Sequence, residues 1–343
     1  MAPSNDIVLF HYPSSPYARR IVWYLAIRNI PYTQCLQPMT LPRPDTAALN
    51  INYRRIPLLS IGRDIYVDSR LILQKLETLY PSTSFTNSSG KTITIGPPLS
   101  ASTPETKAIQ ALLSHFFIDS VFAKASALIP PDLPVMKDAK FVADRQEFSG
   151  RAWSQESVRK NRPAALVHIR EAFRLVEETI LSDGRKWVLG EEGPSMCDVE
   201  GVWVFHWLVG FGKGGMESVI TKEQFPKTWA WVGRFDEEIK RLKKVVKVGK
   251  VVLAEVEEGI AKGGFVDEDV KEVDKKDPLG LKVGEEVEMW PVDSGFKQKD
   301  RGRLVGLTGK EAVIEKKTGK GEAIRIHAPR WGFRLQKVND AKL

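Results

Sequence analysis

Ile7-Val8-Leu9-Phe10-His11-Tyr12-Pro13-Ser14-Ser15-Pro16-Tyr17-Ala18 passes from an apolar run to turn residues and then to a helix start. Ile7–Phe10 suits a strand covered on both faces, and His11 to Pro16 end it with turn chemistry. Ser15 stands where an N-cap belongs and Pro16 where the first helical residue belongs. From Tyr17 to Ile27 apolar residues recur at helical spacing, with Arg19, Arg20 and Arg28 on the other faces. A second strand around Cys35 comes next.

Two further stations lie downstream. Arg55-Ile56-Pro57-Leu58-Leu59 puts a proline at the head of a strand, which fits an edge or a cis turn. With a cis bond there, the Ile56 N–H and C=O face outward and can pair with an extended peptide as an added strand. Asp68-Ser69-Arg70-Leu71-Ile72-Leu73 opens an amphipathic helix whose free N–H groups and Ser69 hydroxyl suit a carboxylate. Each station also has a plainer reading: Ser15 and Asp68-Ser69 as helix caps, Pro57 as an ordinary edge-strand proline.

In this order and spacing, residues 5 to about 80 resemble the N-terminal domain of the glutathione transferase superfamily. Ser15-Pro16-Tyr17-Ala18 matches its active-site turn, Arg55-Ile56-Pro57 its cis-proline motif and Asp68-Ser69 its acidic-Ser pair. The resemblance implies glutathione as co-substrate, a small apolar electrophile as second substrate, and a homodimer. It implies Ser15 as the catalytic residue, with Ser14 and Tyr12 as alternatives, and glutathione held by Arg55, Ile56, Pro57, Asp68 and Ser69. Serine at position 15 disfavours mixed-disulfide chemistry and leaves conjugation or glutathione-assisted isomerisation. Asp68 in place of the more usual Glu, and no Asn-Pro before Arg55, keep open a non-catalytic glutathione-binding or interaction protein on the same scaffold.

Trp187-Val188-Leu189-Gly190 and Pro194-Ser195-Met196-Cys197-Asp198 combine a turn with an S-x-x-D cap ahead of a long apolar helix. Ser195 and Asp198 are expected to be structural, capping the central helix of an all-α domain. His206 on that helix is expected to pack in the core. Phe116, Phe117, Phe122 and Trp153 are either core or the wall of a pocket for the electrophile.

The expected organisation is α+β and multi-domain. A thioredoxin-like α/β domain spans 1–81 and a Ser/Thr/Gly/Pro-rich linker 82–104; an all-α domain spans 105–262, with helices near 105–128, 138–160, 163–182, 196–211, 222–241 and 243–262. Residues 263–277, with Asp267, Glu268, Asp269, Glu272, Asp274 and Asp277, read as a solvated charged linker. From 278 to 343 the pattern switches to period two, which predicts a small SH3-like β-barrel.

The 343 residues are 42% hydrophobic and 27% charged, with a formal charge of +8 and two cysteines. That composition is ordinary for a globular chain, excludes a disulfide framework, and gives neither cysteine the spacing of a metal site. Residues 279–343 hold 14 Lys and Arg against 9 Asp and Glu, interleaved. A nucleic-acid-binding role for the barrel is therefore the lesser alternative to packing or dimerisation. With no long apolar run and no leader, no membrane partner is expected and the location is expected to be cytoplasmic.

Overall fold

The computed structural model describes residues 6–87, 90–190, 192–212, 216, 219–267 and 272–338. The chain opens with β1 (Ile7–His11), α1 (Pro16–Ile27), β2 (Tyr32–Leu36), the short α2 (Pro44–Ala48), β3 (Leu58–Ile61), β4 (Asp64–Val67) and α3 (Ser69–Leu79). β1 pairs parallel with β2 and antiparallel with β3, which pairs antiparallel with β4. This is the thioredoxin-like arrangement. Because side chains alternate across a strand, Leu9, Leu59 and Tyr66 enter the core shared with the helical domain, whereas Phe10, Leu58, Ile65 and Val67 enter a second core on the opposite face.

The helical domain begins at α4 (Pro104–His115), which widens into a π-helical turn (Phe116–Val121) and runs on through α5 (Phe122–Ala125) to a short 3-10 turn ending at Leu128. Beyond it come α6 (Ala139–Ser149), α7 (Gln155–Leu175), α8 (Met196–Val209), α9 (Pro226–Leu242) and α10 (Leu253–Lys262). The helix expected over 138–160 stops early because Gly150 takes a left-handed conformation, φ +67°. The next starts at Gln155, capped by Ser154, and carries Pro163 in its interior. Residues 243–252 are not helical throughout: Val248–Lys250 form β7 on the edge of β2, as a valine-rich segment favours. Within the expected linker 82–104, β5 (Ser84–Thr86) and β6 (Thr92–Thr94) pair as a hairpin. No long apolar run was expected, yet Pro104–Leu128 has the length and mean hydropathy, 1.3, of a membrane span; its Leu113, Phe117, Val121 and Ala125 are buried in the main core.

β8 (Glu286–Pro291), β9 (Asp300–Leu307), β10 (Glu311–Lys317), β11 (Ala323–Pro329) and β12 (Phe333–Lys337) realise the period-two pattern. Among the described residues, no strand pair closes them into a barrel of their own. Their order is β12-β8-β9-β10-β11, and β11 continues in parallel pairing with β4, Ile326 opposite Ile65, to give one ten-stranded sheet. Val287, Leu304, Leu307, Ile314, Ile324 and Ile326 share the second core with Phe10, Leu58 and Val67. Nor is the preceding linker solvated along its length. Asp267 is buried, and the Glu272 carbonyl and Asp274 amide both bond to Leu307. Glu268 and Asp269 lie outside the described residues.

Candidate active site

The register of three strands brings the three stations together. Phe10 lies opposite Leu58, and Leu58 opposite Val67. The turn Tyr12–Ser15, the Ile56-Pro57 bond and the Asp68-Ser69 helix start therefore leave the sheet at one end. Ile56-Pro57 is cis, and Ile56 lies just outside the β3 ladder, which begins at Leu58.

Ser15 is buried, its amide donating to the Tyr12 carbonyl at 3.0 Å. Its Oγ accepts from the Ala18 amide at 3.2 Å, as a helix cap does. Capping uses a lone pair and not the hydroxyl proton, so the same O–H can still donate. The alternatives are placed differently. Ser14 is exposed and donates to Met39 Sδ at 3.4 Å, while Tyr12 packs half-buried on the second core.

Asp68 caps α3 from a left-handed conformation, φ +69°, with Oδ1 accepting from the Arg70 amide at 3.0 Å. Arg70 itself reaches Asp119 on the π-helical turn, at 2.9 and 3.1 Å. Ser69 Oγ accepts from Arg20 Nη1 at 2.6 Å, and Arg20 pairs with buried Glu200 of α8. Arginines of the first domain are largely spent on internal partners: Arg20 on Ser69 and Glu200, Arg54 on Asp144, Arg63 on Glu322, and Arg70 on Asp68 and Asp119.

Arg55 is engaged by the chain itself. Its Nε and Nη2 donate to the Ser294 carbonyl at 2.9 and 2.6 Å, and Nη2 also pairs with the Asp293 carboxylate. The β8–β9 loop thus lies on Arg55, one of the residues expected to hold glutathione. It is anchored by Gly295, whose amide donates to the Phe148 carbonyl at 2.7 Å. Gly295 has φ +63°, and a Cβ there would lie 3.0 Å from Arg54 Cγ, so the position requires glycine. Trp331 makes a second contact from the C-terminal strands, donating Nε1–H to Asp119 at 2.8 Å with its ring against His115.

Tyr17, read in the sequence as an apolar helix residue within the Ser15-Pro16-Tyr17-Ala18 turn, lies within electrostatic range of Arg55, Asp293 and Asp68. Burial pushes its hydroxyl well above the usual tyrosine range, so it remains a neutral donor. Its ring packs on Phe122 and Trp203, at 4.7 and 4.8 Å between centroids. Phe117 is core, against Phe205, and Trp153 packs on Phe141. Asp119, Asp293 and Trp331 carry no local motif; only the tertiary arrangement brings them together.

The capping residues are where the sequence put them. Asp198 Oδ2 accepts from the Ser195 amide and hydroxyl at 2.9 and 2.8 Å, and Oδ1 from the Val188 amide and Trp231 Nε1, both at 2.9 Å. His206 meets Asp236 at 3.0 Å and Trp23 edge-on.

A family model for the glutathione S-transferase N-terminal domain matches residues 9–84, and a domain of unknown function, DUF7962, matches residues 124–244. None of the curated proteins compared matches the chain. A glutathione S-transferase-like protein from Pseudomonas syringae superposes with a TM-score of 0.66 at 20% identity, covering 97% of this chain and all of that one. The Sphingobium β-etherase LigF gives 0.52 at 14% identity, covering 69% of this chain and 98% of its own. A rice glutathione S-transferase in complex with glutathione gives 0.50 at 18% identity, covering 76% and 96%. Nearly all of the rice and Sphingobium proteins is thus matched while roughly a quarter or more of this chain is left over; the Pseudomonas protein extends over almost all of it. Residues 9–84 are a glutathione S-transferase N-terminal domain, and the chain as a whole shares the fold of the Pseudomonas glutathione S-transferase-like protein.

Proposed function

We propose that this chain is a serine-type glutathione transferase whose cleft is covered, in the resting state, by its own β8–β9 loop. The observation that carries the reading is the convergence of Ser15, Ile56-Pro57 and Asp68-Ser69 at one end of β1, β3 and β4. Glutathione is a peptide with a carboxylate at each end and a thiol between. Its cysteinyl backbone would pair with Ile56, and its γ-glutamyl end would meet Ser69 and the α3 N-terminus. Its glycyl carboxylate would take Arg55 from Asp293.

The sulfur would then sit above the α1 N-terminus, with the Ser15 O–H as donor. Both favour thiolate. A thiol of pKa near 8.5 is about 3% ionised at pH 7, and lowering it by roughly two units raises that to about three quarters, a gain near 25-fold. The remaining acceleration would come from holding an apolar electrophile beside sulfur, against Tyr17 and Phe122.

Ser15→Ala is therefore expected to lower the rate of thiol conjugation to a chlorodinitroarene by about 10-fold or more while glutathione affinity stays within about twofold. An unchanged rate would remove Ser15 from the reaction. A homodimer is part of the proposal. Ile109, Leu112 and Phe116 form an exposed apolar stripe at helical spacing along α4 and the turn after it.

A further inference from the structure

We propose a divalent-cation site where the C-terminal strands join the first sheet, held by Asp267, Glu311 and His327. These residues come from the segment after α10 and from β10 and β11, and all three are buried. One ligand atom from each lies within 4.8 Å of the others, with His327 Nδ1 4.0 Å from Asp267 Oδ2 and 4.0 Å from Glu311 Oε2.

The orientation of His327 supplies the argument. His327 Nε2 is 2.8 Å from Asp64 Oδ1, and that carboxylate's other oxygen accepts from the Val266 and Asp267 amides at 2.6 and 3.1 Å. Nε2 is the nitrogen engaged by Asp64, which leaves Nδ1 as the one turned towards the other two carboxylates. Both His327 Nδ1 and Glu311 Oε2 are buried without a hydrogen-bond partner, an arrangement that costs free energy unless something positive stands between them. A carboxylate holding the far nitrogen of an imidazole while the near one meets a cation is the usual support of a metal-bound histidine.

One positive group is already present. Lys75 Nζ lies 2.5 Å from Asp267 Oδ2 and 2.7 Å from Glu311 Oε1. It neutralises one of the three carboxylates Asp64, Asp267 and Glu311, and it does not meet Glu311 Oε2 or His327 Nδ1. Tetrahedral bonds of about 2.0–2.2 Å to N and O put ligand atoms roughly 3.4 Å apart, so on binding the 4.0 Å pairs must close by about half an ångström and the widest pair by about an ångström or more. One imidazole and two carboxylates, with no thiolate, suit zinc or manganese rather than a soft cation. The sequence has no metal motif here because the ligands are separated in the chain and meet only through the pairing of β10 with β11 and of β11 with β4.

The test is calorimetric titration of zinc into the chelator-treated full chain, with manganese in parallel. One site per chain is expected, weakened at least about 10-fold by Glu311→Gln and by His327→Gln. Lys75→Met has the opposite expected sign: it removes the competing ammonium and tightens binding. Circular dichroism identifies any variant that fails to fold; Lys75→Met and the wild type still decide the matter in that event. No stoichiometric binding by the wild type at 100 µM of either metal (about 10⁻⁴ M, weak for a built site), or binding unaltered in folded Glu311→Gln, overturns the proposal.

Discussion

Ser15 caps α1, and the proposed function gives the same side chain a second role that competes with the first when only the sequence is read. As a cap its oxygen accepts from Ala18; as a donor its proton is still available. Ser15→Ala is expected to cost about 1 kcal/mol of stability as well as turnover, read from chemical denaturation. Ser15→Thr keeps the hydroxyl and should restore the cap. Asp198 has a purely structural role. Burial holds its carboxyl above the ordinary range in spite of donors from Val188, Ser195 and Trp231. Asp198→Ala strands these buried donors and is expected to destabilise the chain by about 2–4 kcal/mol, seen as a lower denaturation midpoint. This role was legible because a capping box is local. Asp293 was not legible as a site residue: nothing in Pro291-Val292-Asp293-Ser294-Gly295 announces that its loop lies on Arg55.

Among the elements, α3 ties the first domain to the helical one. Glu77, near its end, is half-buried, which by itself raises its pKa. The Tyr24 hydroxyl and the Leu99 and Ser100 amides outweigh that and hold it below the ordinary glutamate value. A depressed carboxyl contributes stability above its unfolded pKa and loses it as pH falls through the folded value. Glu77→Gln is therefore expected to lower stability at pH 7 and to flatten the acid limb below about pH 4.5. Parallel midpoints for wild type and variant between pH 3 and 7 would contradict it. Strand identity from Glu286 onward was legible in the period-two pattern, but the partner of β11 was not. Alternation fixes which face a residue takes and is silent on which edge its strand joins. The expected barrel and the observed sheet extension differ only in that choice.

At the scale of the molecule, the C-terminal strands complete the second core and their β8–β9 loop engages Arg55. A chain ending at Lys262 would expose Phe10, Leu58, Ile65 and Val67 on the sheet face they share with β9 to β11. It is expected to aggregate or to unfold non-cooperatively, although its length would resemble that of the shorter relatives. Leu112→Glu on the exposed α4 stripe should shift a dimer to monomer in light scattering. The central claim is that a glutathione site lies beneath the β8–β9 loop. Calorimetric titration of glutathione into wild type and Asp293→Ala tests it most directly. Wild type is expected to bind weakly and Asp293→Ala about 10-fold more tightly, a difference of about 1.4 kcal/mol, because Arg55 is released for the glycyl carboxylate. No binding by either protein at millimolar glutathione, or weaker binding once Asp293 is removed, would contradict it.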